Sequence, residues 1–252
     1  MKYAFLPLLP LSLLWIAAVG CSNPEEDSCN IKTPGMFVEY EVVNSGGTTV
    51  DATAKFWVGN KAGGTSLFLG SCDAITINGA KMVVKGSGQN VYRATINLSD
   101  NYDFVLARED EDPYSSTVTT PELPVLTAPV PTDSFLRDEG FDITWVAGSG
   151  NINLLVKGSC TKSFPSVGGE NVPDNGTYSV AAGKIQSFTS SETKETCTAN
   201  VTLTRTNAGT LSSQLKGKIH GKSKGATSFK SLPAQEEETL GPDENDPGNT
   251  EE

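Results

Sequence analysis

Residues 36–58, MFVEYEVVNSGGTTVDATAKFWV, decide the fold class. Apolar side chains occupy every second position on both sides of a Ser45-Gly46-Gly47 turn. They are Met36, Val38, Tyr40 and Val42 before the turn, and Val50, Ala52, Ala54, Phe56 and Val58 after it. Such alternation places one face of an extended strand in a core and the other face in water. The segment therefore predicts two half-buried strands joined by a short turn.

The same alternation continues along the chain, and no window shows the sustained apolar period of a helix. The Asn78-Gly79 pair predicts a hairpin, because these residues accept the positive φ angles that tight turns require. Further strands are predicted at residues 75–77, 81–85, 92–98, 102–106, 141–145, 152–157, 177–181, 184–188, 197–205, 216–220 and 226–231. Short strands separated by Gly, Asn and Ser turns predict an all-β fold, and a sandwich rather than a barrel.

Prolines divide the strand-rich body into two parts. They accumulate at Pro113, Pro121, Pro124, Pro129 and Pro131. This density suits a stiff crossing between domains, or an edge strand that opens the second domain. We place the boundary near Glu122, which predicts one β-sandwich domain at residues 29–122 and another at residues 123–233.

Two segments resemble immunoglobulin-like domains. Residues 141–157, with Trp145 closing one strand before a Gly-Ser turn, resemble the B and C strands of fibronectin-III and related domains. Residues 98–106, centred on Tyr102, resemble the tyrosine-corner region of the same superfamily, although the spacing from Leu98 to Tyr102 is not the usual one. The resemblance implies two tandem immunoglobulin-like sandwiches. It implies nothing about activity, because unrelated functions share this fold.

The N-terminus has the pattern of a targeting segment. Lys2 precedes an uncharged apolar run from Ala4 to Val19, which is typical of a secretory signal peptide. A membrane-spanning helix would tolerate Pro7 and Pro10 poorly. We therefore predict a signal peptide at residues 1–20, and a plain peptide cleaved after a small residue is the simplest form of it.

The end of this segment favours a lipoprotein. Ala18-Val19-Gly20-Cys21 resembles the lipobox of bacterial lipoproteins, although Ala18 is more often Leu in that family. The resemblance implies that Cys21 becomes the first mature residue and carries acyl chains, including palmitate-type chains, followed by a tether at residues 21–28. Two or more acyl chains give stable membrane anchoring. By analogy with enterobacterial sorting, Ser22 in place of Asp implies the outer membrane, facing either the periplasm or the surface.

The remaining cysteines, Cys29, Cys72, Cys160 and Cys197, form an even set in a predicted exported protein. Disulfide bonds persist in that compartment. Several pairings are open to such a set, and sequence does not choose among them. We expect Cys29–Cys72 and Cys160–Cys197, because each predicted domain then holds one bond. A metal or redox site is disfavoured, since no spacing is C-x-x-C.

Charge is concentrated at the ends of the chain. The sequence has 30 acidic and 19 basic side chains, and its net charge is −11. Residues 234–252 contain eight acidic side chains and no basic one, which predicts a disordered acidic tail. The body between the ends is nearly neutral. It therefore lacks the broad basic surface that a nucleic-acid-binding protein needs.

One basic pattern stands out near the C-terminus. Basic side chains occupy every second position at Lys216, Lys218, His220, Lys222 and Lys224. In an extended strand they would share one face and form a candidate anion-binding stripe for phosphate, a glycan acid or an acidic partner. The alternative is a solvated edge strand whose lysines prevent pairing with other chains. Gly217, Gly221 and Gly225 favour an interrupted strand, and we hypothesise that residues 236–252 fold back onto the stripe.

Other polar patterns give no defined site. Asp110, Glu111 and Asp112 could gather oxygen ligands for calcium, but they lack EF-hand spacing and a solvated turn is favoured. His220 is the single histidine, so a zinc site with two or three His ligands is excluded. A Ser-His-Asp triad would have to use His220. No nucleophile-elbow, phosphate-loop or zincin motif occurs. No cofactor is expected.

The sequence thus predicts a lipid-anchored lipoprotein of the bacterial cell envelope that is not an enzyme. Its sandwich domains would bind a protein or glycan ligand or serve as a structural module, and its membrane contact would be the lipid anchor. The alternative is a secreted, glycan-directed hydrolase with a carboxylate pair that no motif reveals.

Overall fold

The computed structural model describes residues 25–84, 90–159, 167, 171–185 and 195–234. No α-helix occurs in these ranges; two short 3-10 turns, Ser28–Asn30 and Thr33–Gly35, precede the main strands. The strands are β1 (Glu25–Asp27), β2 (Met36–Asn44), β3 (Thr49–Val58), β4 (Ser66–Phe68), β5 (Asp73–Ile77), β6 (Ala80–Lys81), β7 (Val83–Val84), β8 (Val91–Asn97), β9 (Tyr102–Arg108), β10 (Tyr114–Val118), β11 (Leu126–Ala128), β12 (Ser134–Leu136), β13 (Phe141–Trp145), β14 (Asn151–Ser159), β15 (Val172–Pro173), β16 (Thr177–Val180), β17 (Cys197–Ala208) and β18 (Lys216–Leu232). Within the described part of the chain, no helix has the length and apolarity needed to cross a bilayer.

The first sandwich is built around the segment that decides the fold class. β2 and β3 pair antiparallel, with Val38 opposite Phe56 and Tyr40 opposite Ala54. Their inner faces pack against a second sheet, ordered β10-β9-β5-β6. The ring of Tyr40 stacks on Phe104 of that sheet at a centroid distance of 4.7 Å. The two half-buried strands predicted from residues 36–58 are therefore confirmed.

The second sandwich packs strands β14, β17 and β18 against a small sheet ordered β11-β13-β16. Trp145, Leu154, Val201 and Phe229 are buried between these layers. The predicted all-β class with two tandem sandwiches is confirmed. The predicted strand at 184–188 is wrong where it can be followed, because Lys184 and Ile185 are not in a strand; residues 186–188 lie outside the described ranges.

β18 belongs to both sandwiches. β18 has 17 residues and pairs antiparallel with β17 over most of its length. Its first half pairs parallel with β2, and its last residues pair parallel with β12. Leu215 and Ile219 therefore lie in the first core, while Phe229 lies in the second. The part of the chain predicted to form the second domain supplies core residues to the first.

The expectation that glycines interrupt this strand is wrong. Gly221 and Gly225 lie inside β18, on the face that points toward the proline-rich segment of residues 119–129. We call this segment, which connects the two sandwiches, the crossing. A Cβ atom at Gly221 would overlap the carbonyl of Thr119, and one at Gly225 would overlap the carbonyl of Pro124. These glycines thus permit close backbone approach, a known reason for glycine inside a strand.

Hydroxyl side chains of the same strand fix the crossing. Ser223 Oγ donates a hydrogen bond to the carbonyl of Pro121 at 2.6 Å, and Thr227 Oγ1 donates to the carbonyl of Pro129 at 3.2 Å. The crossing is therefore packed along β18 instead of hanging free between the sandwiches.

The described chain ends lie at opposite ends of the molecule. A row of paired residues crosses five adjacent strands of the large sheet at the same height. It joins Glu25, Ser66, Trp57, Phe37 and Lys216, the first residue of β18. The 17 residues of β18 then span about 53 Å at the usual rise of about 3.3 Å per residue. The N-terminal strand is thus at the base of the first sandwich, and β18 ends at the tip of the second.

We expect Gly221→Ala to lower the free energy of unfolding by about 1–3 kcal/mol, because the added methyl group forces the crossing away from β18. Ser228→Ala, on the opposite face of the strand, should change it by less than about 0.5 kcal/mol. Urea denaturation followed by tryptophan fluorescence measures both. Equal effects of the two substitutions would contradict the close approach.

Candidate functional site

The basic residues predicted to form a stripe do share one face of β18. Residues at odd positions of this strand point into the cores, so the basic positions point outward. Lys216, Lys218 and Lys224 are exposed, and His220 and Lys222 are half-buried. Their part of β18 is not an edge, because β2 pairs on one side and β17 on the other. The alternative of an edge strand protected by lysines is therefore wrong for residues 216–223.

The lower part of the stripe is largely neutralised by β2. Lys218 Nζ lies 2.8 Å from Glu39 Oε1, and Lys222 forms an ion pair with Glu41. Lys55 of β3 stands opposite Glu39 in the sheet, so cations and anions alternate across three strands. Exposed ion pairs contribute little to stability, typically about 0–1 kcal/mol each. They nevertheless remove much of the attraction that an incoming anion would meet.

A small cavity opens between these charged side chains. It has a volume of about 220 Å³, and its walls include Glu39, Glu41, Thr53, Lys55 and His220. His220 Nδ1 is buried and has no hydrogen-bond partner among the described residues. Each of the two carboxylates already holds a lysine. The cavity therefore carries no free carboxylate pair of the kind that glycoside hydrolysis uses.

The upper part of the same face is more strongly cationic. Lys157 of β14 and Lys224 and Lys230 of β18 are exposed there, and none forms an ion pair with a residue that the structure describes. The outward positions of β17 between them carry neutral polar side chains, among them Thr202 and Thr204. We call Lys157, Lys224 and Lys230 the upper cationic face. Sequence reasoning missed Lys157 and Lys230, although the absence of acidic residues from β14, β17 and β18 was a visible signal.

The acidic loop after β9 is occupied by structural contacts. Glu111 accepts hydrogen bonds from the Tyr114 hydroxyl and from Thr33 Oγ1, the latter at 2.8 Å. These bonds, with the nearby Arg108 guanidinium, lower the pKa of Glu111 despite partial desolvation. Asp110 has a positive φ of 61°, which fits a turn. No cluster of potential metal ligands occurs among the described residues.

Arg108 fastens the N-terminal segment to the first sandwich. Its guanidinium donates to Asp73 Oδ1 at 3.1 Å and to Thr33 Oγ1 at 2.7 Å. It also donates to the carbonyls of Ser28 and Ile31 at 2.8 and 2.9 Å. A single buried cation thus binds the 3-10 turns to β5 and β9.

The predicted Cys29–Cys72 disulfide is present beside this cluster, which confirms that pairing. Cys197 is also disulfide-bonded, but its predicted partner, Cys160, lies outside the described residues. The Cys160–Cys197 pairing therefore stays a prediction. Cys21 lies outside the described residues as well, and its lipidation stays a prediction.

A second buried ion pair, which sequence reasoning missed, closes the second sandwich. Asp174 accepts hydrogen bonds from Trp145 Nε1 and Arg205 Nε, both at 2.7 Å. Arg205 also donates to the carbonyl of Val146 at 2.7 Å. Gly148 lies against both charged groups, where a Cβ would collide with them. Burial raises the pKa of Asp174, but the bonds from Arg205, Trp145 and Gly148 outweigh it and lower the pKa.

In the first sandwich, Tyr102 bonds back to the chain as a tyrosine corner does. Its hydroxyl accepts a hydrogen bond from the Ser99 amide, three residues upstream, at 3.1 Å. Tyr40, in contrast, is fully buried and its hydroxyl has no partner among the described residues. Burial accordingly raises the pKa of Tyr40.

No protein-family model and no curated protein matches this chain. Solved structures of β-sandwich tandems do. Fibronectin(III)-like modules of CbhA from Clostridium thermocellum are 13% identical over 79% of this chain and 95% of theirs, with a TM-score of 0.26. A chimeric titin Z1Z2-Z1Z2 tandem is 12% identical over 78% and 96%, with a TM-score of 0.22. IG1+IG2 of DIP-gamma is 6% identical over 79% and 96%, also with a TM-score of 0.22. At these scores the likeness carries no functional argument.

We expect Asp174→Asn to destabilise the fold by roughly 3 kcal/mol at neutral pH, because Arg205 is left buried without its counterion. Asp142→Asn, whose exposed carboxylate accepts a bond from Ser179, should have an effect below about 0.5 kcal/mol. Urea denaturation measures both variants against the unmodified chain.

The pH dependence of that difference follows from the lowered pKa of Asp174. Its stabilising contribution is fully present above the unfolded-state pKa of about 3.9 and is lost as the pH falls through the lower folded-state value. The difference in the free energy of unfolding between the unmodified chain and Asp174→Asn should therefore become smaller only in that acidic range. A gap that stays constant down to acid unfolding would contradict the ion pair.

Proposed function

We propose that this chain is a lipid-anchored lipoprotein of the bacterial cell envelope, whose joined sandwiches form a rigid, non-enzymatic binding or structural module. The placement of Glu25 and Leu232, near the two ends of the described part of the chain, is the observation that carries the proposal. The lipobox-like Cys21 precedes Glu25 by four residues, and Glu25 lies at the base of the first sandwich. An anchor at Cys21 would hold that base at the membrane and direct the second sandwich away from it.

Rigidity supports a display or spacing role. Tandem domains usually move relative to each other unless their interface is extensive. Here β18 runs through both sandwiches, and the crossing is hydrogen-bonded along β18. A stiff module about 50 Å long would keep a ligand-binding tip at a fixed height above a bilayer.

The charged side chains favour binding or structure over catalysis. Asp73 and Asp174 are held by buried arginines, and Glu39 and Glu41 by lysines. A general acid needs a carboxyl group whose pKa is raised, whereas the pKa of Asp174 is lowered. No specific observation favours the hydrolase alternative.

Among protein and glycan ligands, the outer face of the sheet suits a polar partner. Sugars are commonly bound on exposed aromatic rings, whereas Trp57, the aromatic residue on this face of β3, is only 9% exposed and packs edge-on against Phe37. The upper cationic face instead offers lysine and threonine side chains. An acidic protein segment or an anionic glycan fits that chemistry.

Cys21→Ser should move the protein from the membrane fraction to the soluble fraction of a host that processes lipoproteins, because no acyl chain can then be attached. Cys29→Ser removes a disulfide but leaves the anchor, so this control should remain with the membrane. Cell fractionation with intact mass spectrometry measures both outcomes. A mature chain that still begins at Met1, or membrane association of Cys21→Ser, would refute the lipid anchor.

A further inference from the structure

The outer face of the second sandwich is a regular array of side chains. β17 pairs with β14 on one side and with β18 on the other, and neither register shifts along this face. The side chains point outward, since the positions that alternate with them on β14 and β17 are buried. Successive rows across the three strands are Asn153-Thr204-Lys224, Leu155-Thr202-Ala226 and Lys157-Asn200-Ser228, and Thr198-Lys230 continues them on β17 and β18.

The upper cationic face forms a triangle on these rows. Successive rows are about 6.6 Å apart along the strands, and neighbouring strands are about 4.8 Å apart. Lys224 and Lys230 are thus about 20 Å apart, and Lys157 lies about 16 Å from Lys224 and about 12 Å from Lys230. A single small anion cannot bridge such distances. A ligand that contacts all three lysines must be an extended molecule with several anionic groups.

The charge of the three lysines is not compensated nearby. No acidic residue occurs in β14, β17 or β18, and none of the three has an ion-pair partner among the described residues. Lys157 does not protect a sheet edge either, because β17 pairs on one side of β14 and Val156 bridges to Val167 on the other. Prevention of edge pairing, a common role of lysine in strands, therefore does not account for it.

Neutral hydrogen-bonding side chains fill the space between the lysines. They are Asn153, Thr198, Asn200, Thr202, Thr204 and Ser228. Hydroxyl and amide groups both donate and accept hydrogen bonds. None of these six side chains has a hydrogen-bond partner in the part of the chain that the structure describes, so all six are available to a ligand.

This chemistry favours a polysaccharide over a protein partner. Stable protein interfaces depend on a central apolar patch with aromatic or arginine side chains. Between the rows of Lys224 and Lys230, the outward positions that the structure describes carry one large apolar side chain, Leu155, and no aromatic or arginine side chain. A polysaccharide has hydroxyl groups along its whole length, and these match the threonine and asparagine side chains.

The height of the face also distinguishes a polymer from the bilayer surface. Lys224 and Lys230 lie eight and fourteen residues beyond Lys216 in β18, which places them about 26 and 46 Å above the base of the first sandwich. The Debye length in physiological salt is about 8 Å. With the base held at the membrane, anionic headgroups would therefore exert little attraction on the upper cationic face.

We propose that the upper cationic face binds an anionic polysaccharide, which lies across β14, β17 and β18 and contacts all three lysines. Affinity comes from charge attraction at the lysines and from hydrogen bonds to the side chains between them. Lysine suits this role, because its ammonium group is a point charge on a flexible stem. The inference rests on the proposed function, since it names a ligand class for that binding module.

Calorimetric titration with polygalacturonate and with dextran sulfate tests the proposal, and unmodified dextran is the neutral control. The full chain is used in detergent solution, where membrane anchoring plays no part, so failure of the anchor and failure of the ligand are separate results. We expect binding to at least one polyanion that weakens steeply as salt rises, because counterions are released. Binding to neither polyanion at low salt, or equal binding to dextran, would overturn the proposal.

Two triple variants separate the upper cationic face from net charge. Replacing Lys157, Lys224 and Lys230 with Gln should weaken binding by about a hundredfold, at about fivefold for each lysine. The matched control replaces Lys55, Lys216 and Lys218 with Gln, which removes the same charge about 20 Å or more below Lys224. At about 0.1 M salt this control should weaken binding less than about threefold, because the Debye length is then about 10 Å. Equal losses in the two variants would contradict binding at the upper cationic face.

Polyglutamate of matched length distinguishes a polysaccharide from an acidic protein segment. At equal ionic strength the polysaccharide should bind more tightly, because its hydroxyl groups add hydrogen bonds to the charge contacts. Equal or tighter binding of polyglutamate would assign the face to an acidic protein segment and would overturn the proposal.

Discussion

The close contact between β18 and the crossing of residues 119–129 holds the two sandwiches together. It requires glycine at positions 221 and 225, because side chains there would occupy the space of the Thr119 and Pro124 carbonyls. The hydroxyl groups of Ser223 and Thr227 then donate hydrogen bonds to two carbonyls of the crossing, those of Pro121 and Pro129. One strand can therefore pass from the first core to the second without a break, and the usual hinge between tandem domains is absent from the described part of the chain.

Each sandwich also contains one buried arginine that gathers loops. Arg108 binds the N-terminal turns next to Asp73, and Arg205 binds the loop of Asp174 and the end of β13. Buried ion pairs are weak sources of net stability but strongly disfavour arrangements that leave one partner alone. Their effect here is to select a single position for each loop. They also engage the carboxylates of Asp73 and Asp174, so neither is free to act as a catalytic group.

Much of the fold could be predicted from the sequence because alternation is a local property. Residues 36–58 form the expected pair of strands, and Cys29–Cys72 forms the expected disulfide. The single strand from Lys216 to Leu232 could not be predicted, since a local rule treats Gly221 and Gly225 as breaks unless the crossing that lies over them is known. The lysine stripe was placed correctly on one face, but its neutralisation depends on the parallel pairing of β2 with β18. That pairing joins segments far apart in the chain and leaves no local pattern.

The contribution of β18 to the first core determines the order of assembly. Ile219 lies in that core beside strands from the beginning of the chain, so the first sandwich stays incomplete until nearly the whole polypeptide is available. Contacts between distant segments slow folding, because the loop between them must close before the contacts can form. The first sandwich therefore cannot complete its core until Leu215 and Ile219 have been synthesised. The two sandwiches would then reach the native state together, although the first is synthesised earlier.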